Sequence, residues 1–396
     1  MPRILRIINR FNIGGPTYNA AYLTKYMPSE YETLLIGGEK EDHEESSLHI
    51  LNDLGINPII IPDMKRSINP MNDYNTYKKI KNIIKEFKPD IVHTHAAKAG
   101  TIGRLAAYNS KVPIIVHTFH GHVFHSYFNK AKTTLFKNIE RNLASKSTKI
   151  IAISEKQKYE LGTIHRICRP EKLEVIPLGF DLSRFQENIE EKRAIFRKQY
   201  NIADDEIAIG IIGRIVPVKN HELFVRAWKE VSDKTTKKIR AFIVGDGEDR
   251  AKTEALAKEL GLSICTENFE NSKCSLTFTS WIKDVDVVNA GIDIVALSSL
   301  NEGTPVSLIE AQAGNNPVVS TKVGGIENVV MHNKTGLLSE VGDTHGYAVN
   351  LLKIIEDDLL RTQMQKEGWE SVREKFHYTR LVKDMDKLYS KLLSSK

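Results

Sequence analysis

Two glutamates, Glu302 and Glu310, stand in the segment Ser298-Ser299-Leu300-Asn301-Glu302-Gly303-Thr304-Pro305-Val306-Ser307-Leu308-Ile309-Glu310-Ala311. The preceding run, 291–297, is apolar and short and reads as a buried strand. Thr304 suits a helix N-cap, and Pro305 suits the first helical position. Glu302 is therefore expected in the loop at the strand's carboxyl end, and Glu310 between one and two turns into the helix. Ligands of open α/β sheets bind at that edge. The amides of Gly303, Thr304 and Val306 can meet an anion at the helix start. A carboxylate beside this anion hole and another farther along the helix suit a ligand with a diphosphate in its middle and hydroxyls at both ends. A nucleotide sugar has that shape.

A second strand–loop–helix site is written in Gly213-Arg214-Ile215-Val216-Pro217-Val218-Lys219-Asn220. The strand ends at Gly213, Arg214 lies in the loop, and Lys219 is expected to start the next helix. Arg can hold a diphosphate with a planar fork and Lys as a point charge. Gly14-Gly15 follows the first strand, where glycine lets backbone approach a ligand closely. It lacks the G-x-G-x-x-G spacing of a dinucleotide fingerprint, as does Gly245-Asp246-Gly247, which reads as a turn beside the ligand. His117-Thr118-Phe119-His120-Gly121-His122-Val123-Phe124-His125, with His93 and His95, invites a zinc reading, but no carboxylate or cysteine joins at a recurring ligand spacing. His120 falls at a strand's carboxyl tip, where a neutral imidazole can bond a sugar hydroxyl. Asp284-Val285-Asp286 resembles a metal-holding Asp-x-Asp, yet it precedes a short helix, where Asp is a common cap.

Strand and helix patterns alternate along the chain. Strands are expected at 3–8, 31–36, 58–61, 90–95, 113–119, 149–153 and 172–176, with helices near 17–27, 74–87 and 99–108. Pro177-Leu178-Gly179-Phe180-Asp181 breaks the series, and a charged, mostly helical segment runs from Ser183 to Asp205. A second series has strands at 207–212, 240–244, 276–278, 293–297 and 317–320, while 263–275 reads as a surface loop. Such alternation implies parallel sheets with helices on both faces, an α/β fold in two domains. The last helices, from about Asp343, are amphipathic and close the molecule.

Composition agrees with this. The 396 residues are 41% hydrophobic and 27% charged, ordinary for globular protein. No stretch approaches the roughly 20 apolar residues that cross a bilayer. Met1–Ile8 reads as a strand rather than a secretion signal, and three sparse cysteines, Cys168, Cys265 and Cys274, argue for a reducing cytoplasm. The net charge of +6 is uneven: residues 1–180 carry 26 Lys and Arg against 17 Asp and Glu. The surplus concentrates in 111–172, with 12 basic and 4 acidic residues. Its basic amphipathic stretch, 126–149, suits either an anionic membrane surface or packing on the domain core. A phosphorylated substrate is the other anionic partner, and no nucleic-acid motif is present.

Together these residues resemble the retaining glycosyltransferases of family 4, the group 1 glycosyltransferases, in the GT-B fold. The resemblance spans nearly the whole chain. It rests on Gly14-Gly15, Thr118-Phe119-His120-Gly121, Ile176-Pro177-Leu178-Gly179-Phe180-Asp181, Gly213-Arg214 with Lys219, Glu302-x7-Glu310, and Val319-Ser320-Thr321-Lys322-Val323-Gly324-Gly325. It implies two Rossmann-like, doubly wound parallel-sheet domains facing a central cleft: 1–182 for the acceptor, 183–375 for the nucleotide-sugar donor, and a C-terminal helix, 376–396, packing back toward the first. By the same resemblance Arg214, Lys219 and Gly15 meet the donor diphosphate, Glu310 the ribose, Trp281 the nucleobase, and Glu302 and His120 the transferred sugar. Transfer to a lipid-linked glycan acceptor in bacterial surface polysaccharide synthesis is implied. A uridine nucleotide, no cofactor or metal, and a cytoplasmic enzyme peripheral to the membrane are implied as well. Two alternatives differ in class. A sugar-nucleotide 2-epimerase needs a further acid/base pair, for which the first half offers no clear carboxylate. A non-catalytic nucleotide-sugar binder is argued against by the intact Arg214, Lys219, Glu302 and Glu310.

Overall fold

The structure is a computed structural model that describes residues 1–12, 14–41, 46–65, 67–120 and 130–395. The chain divides into two compact units, Met1–Phe180 with Phe376–Lys396, and Asp181–Lys375. Among the described residues each unit contains one seven-stranded sheet. In the first, β1 (Arg3–Arg10), β2 (Glu32–Gly38), β3 (Ile59–Ile60), β4 (Ile91–His95), β5 (Ile114–Phe119), β6 (Lys149–Ala152) and β7 (Leu173–Val175) lie in the order β3-β2-β1-β4-β5-β6-β7. In the second, β8 (Ile207–Ile212), β9 (Ile239–Val244), β10 (Ile264–Cys265), β11 (Leu276–Ser280), β12 (Ile294–Leu297), β13 (Val318–Thr321) and β14 (Gly336–Ser339) lie in the order β10-β11-β9-β8-β12-β13-β14. All pairings are parallel. The strands are apolar on both faces because helices cover both, as in β8, where every residue is buried.

One face of the first sheet, with Leu5, Ile7, Val92 and Ile115, packs on Ile80 and Ile84 of helix Pro70–Phe87 and Ala99 and Ile102 of helix Ala97–Asn109. The other face, with Ile4, Ile91, Ile114, Val116 and Ile151, meets Leu381, Met385, Leu388 and Leu392 of helix Tyr378–Ser394. Those four recur at helical spacing, so the last helix presents a continuous apolar stripe and completes the first unit's core. In both sheets the strand order reverses at one place, between β1 and β4 and between β8 and β12. That switch point is where open α/β sheets leave a crevice at the carboxyl edge.

Some local features differ from expectation. The stretch taken as surface loop, 263–275, contains the edge strand β10, and its Cys265 is joined to Cys274 by a disulfide with Cα atoms 5.7 Å apart. The pair, created by the return of the chain from β10 into β11, removes the argument from cysteine usage for a reducing cytoplasm, because disulfides are rare in reducing compartments. Strand β14, Gly336–Ser339, is not among the strands expected from the sequence. Helix Pro70–Phe87 begins four residues before the expected Tyr74, because Asn69 accepts hydrogen bonds from the amides of Met71 and Asn72 and Pro70 fits the first turn.

Candidate functional site

Strands β8 and β12 are neighbours, with Val295 opposite Gly210, so their carboxyl ends emerge side by side at the second unit's switch point. Lys219 does not start a helix, as the sequence suggested. It closes a 3-10 turn, Pro217–Lys219; Asn220 turns the chain in the left-handed region, φ 50°, and the helix runs from His221 to Lys234. Ser298 donates to the carbonyls of Lys219 and Asn220, and the Leu300 amide donates to Val218, so the two loops are one body. Lys219 Nζ consequently reaches Glu302 Oε1 at 2.6 Å. Ser299 Oγ donates to the same oxygen at 2.6 Å. Glu302 Oε2 has no partner among the described residues and is the acceptor this carboxylate leaves over.

Thr304 is not the cap either. Pro305 occupies the N-cap position of helix Val306–Ala313, its carbonyl receiving the Leu308 and Ile309 amides. Pro305 cannot donate, and its fixed φ suits the turn just outside the helix as well as the first residue inside it. The amides of Gly303, Thr304 and Val306 have no acceptor among the described residues. A Cβ added at Gly303 would meet nothing within 4 Å, so space is open above this helix start. Glycine turns from adjacent strands lock both loops. A Cβ at Gly324 would lie 1.9 Å from the Glu302 carbonyl oxygen, and one at Gly325 1.8 Å from that of Gly303. A Cβ at Gly245 would lie 2.0 Å from the Gly213 oxygen, and one at Gly247 2.3 Å from that of Ile215. Such distances forbid any side chain. Gly245-Asp246-Gly247 is thus a turn that clamps the Arg214 loop. Arg214 itself is exposed, with no carboxylate partner among the described residues.

Glu310 is the fifth residue of helix Val306–Ala313 and is partly buried. Burial pushes its pKa up to about 7; Arg184 opposes the shift and Asp286 adds to it. Asp284 stands at the N-cap of helix Val285–Gly291 but accepts no capping hydrogen bond. Asp286 pairs with Lys192 at 2.9 Å. Trp281 follows the end of β11 and is 61% exposed, an uncovered ring on the same sheet edge. The sequence reading missed Ser299, which orients Glu302, and the clamping role of Gly324-Gly325. The Ser-Ser pair directly after an apolar strand was the available signal for the first.

In the first unit, Gly15 is the first residue of helix Gly15–Lys25, just beyond β1. A Cβ there would make only an ordinary 3.5 Å contact with Leu178, so the surrounding protein does not require glycine. His120 follows β5 directly. Burial lowers its pKa to about 3, so it is neutral. His93 bonds Tyr389 at 2.6 Å and Thr118 at 2.8 Å, and His117 bonds Thr94 at 2.8 Å. Gly121, His122 and His125 lie outside the described residues, and among the described residues no three His, Cys, Asp or Glu side chains form a metal site. The basic helix runs over Lys130–Lys146. Its Leu143 and Ala144 are buried, Phe136 packs on the core, Glu140 pairs with Arg104 at 2.6 Å, and Leu135 is exposed. No helix among the described residues is long and apolar enough to cross a membrane.

A family profile for glycosyl transferases group 1 matches residues 192–370, and one for Glycosyltransferase Family 4 matches residues 13–184. The chain is 29% identical over 345 residues to the UDP-Gal:alpha-D-GlcNAc-diphosphoundecaprenol alpha-1,3-galactosyltransferase of Escherichia coli, across 87% of this chain and 86% of that one. It is 27% identical over 337 residues to the capsular polysaccharide biosynthesis glycosyltransferase CapM of Staphylococcus aureus, across 84% and 85%. Its fold matches Anabaena HepE, solved in complex with UDP, with a TM-score of 0.79 at 20% identity over 100% of both chains. The architecture is that of GT-B glycosyltransferases.

Proposed function

We propose that this chain, which belongs to the group 1 glycosyltransferases, moves a hexosyl or N-acetylhexosaminyl group from a UDP-sugar to a hydroxyl of a lipid-linked glycan, with retention at the anomeric carbon. One observation carries the donor assignment: Lys219, Ser299 and Glu302 converge at the second unit's switch point beside the unpartnered amides of Gly303, Thr304 and Val306. Negative charge grows on the diphosphate as the glycosidic bond breaks. Lys219, Arg214 and those amides are groups that receive such charge without rearranging. We assign Glu302, through Oε2, to hydroxyls of the transferred sugar, with His120 at the same sugar. Gly15 is assigned to the diphosphate, Glu310 to the ribose and Trp281 to the base. The acceptor hydroxyl attacks from the face the leaving group vacates, and its proton passes to a phosphate oxygen. Fixed cations do the work of a divalent ion in this scheme, so chelation leaves activity intact.

Uridine is favoured because the E. coli relative is named for UDP-Gal and HepE was solved with UDP. A polyprenyl-diphosphate-linked acceptor is favoured by the same E. coli name and by the basic surplus of 111–172. That acceptor places the enzyme on the cytoplasmic face of the membrane as a peripheral protein. The test is a panel of nucleotide sugars assayed by release of nucleoside diphosphate, with chelator present and a polyprenyl-diphosphate-linked sugar as acceptor. One UDP-sugar turning over to an α-linked product supports the reading. An inverted product, or an epimer formed without acceptor, overturns it.

A further inference from the structure

We propose that His95 is a positioning residue: its hydrogen bond to His120 fixes the ring orientation and tautomer with which His120 meets the transferred sugar. This rests on the assignment of His120 to that sugar. His95 ends β4 and His120 follows β5, so parallel pairing of the two strands, His95 opposite Thr118, delivers both rings to one edge. His95 Nδ1 and His120 Nε2 are 3.0 Å apart. The outer nitrogens, His95 Nε2 and His120 Nδ1, are buried and have no partner among the described residues.

Burial drives both imidazoles neutral, and His93, His120, Arg6 and His117 around His95 lower it further. Two neutral rings joined by one hydrogen bond share a single proton between them. The protonation of His120 Nδ1 is then tied to that of His95 Nδ1. If His95 Nδ1 accepts, His120 Nδ1 is a bare lone pair; if His95 Nδ1 donates, His120 Nδ1 carries the proton. The two tautomers are thus coupled through this bond: His95 is the group against which His120 Nδ1 becomes either an acceptor or a donor.

The surroundings hold His95 still. Its ring lies against His93 with centroids 4.2 Å apart. His93 is tied at both nitrogens, to Tyr389 on the last helix and to Thr118 on β5. Fully buried Arg6 on β1 lies beside Tyr389. The residue after His95 is Ala96, whose φ of 66° and ψ of 163° belong to a region that glycine almost alone occupies. The chain accepts that conformation where β4 turns into helix Ala97–Asn109, at the first unit's switch point.

The experiment compares His95→Asn, His95→Phe and His120→Ala in the full chain, with melting temperature as a folding control. Asn places an amide where Nδ1 was and keeps the bond to His120. Phe keeps an aromatic ring against His93 but cannot bond; it is larger than imidazole, so the melting temperature must stay near wild type for its kinetics to be read. We expect Phe to lower kcat by about tenfold or more while the donor KM changes by less than about threefold, and Asn to recover most of kcat. Imidazole ¹⁵N shifts should show one His120 tautomer in the wild type and Asn variant, and a mixture in the Phe variant. Equal kcat in the Phe variant and the wild type, or Phe outperforming Asn, shows packing alone and overturns the inference. Full activity in His120→Ala overturns instead the assignment of His120 on which it depends.

Discussion

Lys219 and Ser299 both bind Oε1 of Glu302, which orients the carboxylate and leaves its second oxygen for a ligand. Under the proposed donor assignment, a diphosphate at the amides of Gly303, Thr304 and Val306 would share Lys219 with Glu302 and have Arg214 to itself. Hydrogen bonds to charged groups contribute about 1.5–3 kcal/mol each, so Arg214→Ala is expected to weaken nucleotide-sugar binding by about tenfold to a hundredfold without affecting folding. Ser299→Ala removes the hydroxyl that orients Glu302 and should lower kcat/KM by a similar factor; steady-state kinetics measure it. Glu310 carries a pH dependence. Its pKa is raised to about 7, so the carboxyl is neutral below that pH and ionised above it. A carboxylate accepts ribose hydroxyls more strongly than the neutral acid does. Donor affinity should therefore rise by up to about tenfold between about pH 6 and about pH 8, and Glu310→Gln should flatten the profile. Titration calorimetry with the intact nucleotide sugar, whose diphosphate does not ionise in this range, is the measurement.

The loops that carry these residues owe their shape to neighbouring turns. Gly325 donates its amide to the Glu302 carbonyl at 3.0 Å and leaves no room for a methyl group, while Gly303 faces open space. The two positions should therefore separate. Gly325→Ala is expected to lower the melting temperature and cost about 1–3 kcal/mol through overpacking, together with activity. Gly303→Ala should leave the melting temperature near wild type but weaken the donor. Thermal denaturation read beside donor affinity distinguishes them. Much of this was legible in sequence, because strand ends, Gly-Arg and Glu-x7-Glu are local patterns. Helix starts were less so: a proline next to a threonine is compatible with two neighbouring registers, and Pro217 and Asn220 together produce a 3-10 turn that a helical period does not reveal. The contact of Ser299 with Glu302 is local, three residues apart, but the fit of Gly324-Gly325 over that loop depends on β13 lying beside β12. No spacing along the chain shows this.

At the scale of the whole chain, the two sheets followed from the alternation of strand and helix. The completion of the first unit by the last helix is a non-local event. Leu381, Met385, Leu388, Tyr389 and Leu392 are buried in that unit's core. At ~1.5–3 kcal/mol apiece, their burial is comparable with the ~5–15 kcal/mol stability of a domain. Deletion of 376–396 should therefore yield insoluble or protease-sensitive protein, which limited proteolysis will register. The disulfide between Cys265 and Cys274 and the His95–His120 bond escaped the sequence because both join residues that only the folded sheets bring near. The central claim is that the carboxyl edge at β8 and β12 holds a nucleotide sugar by its diphosphate through fixed protein charges. The most direct measurement is the affinity of the wild type and an Arg214→Ala/Lys219→Ala double variant for UDP-sugars in the presence of chelator. The account predicts metal-free binding by the wild type and a loss of about a hundredfold or more in the folded double variant; undiminished affinity in that variant would contradict it.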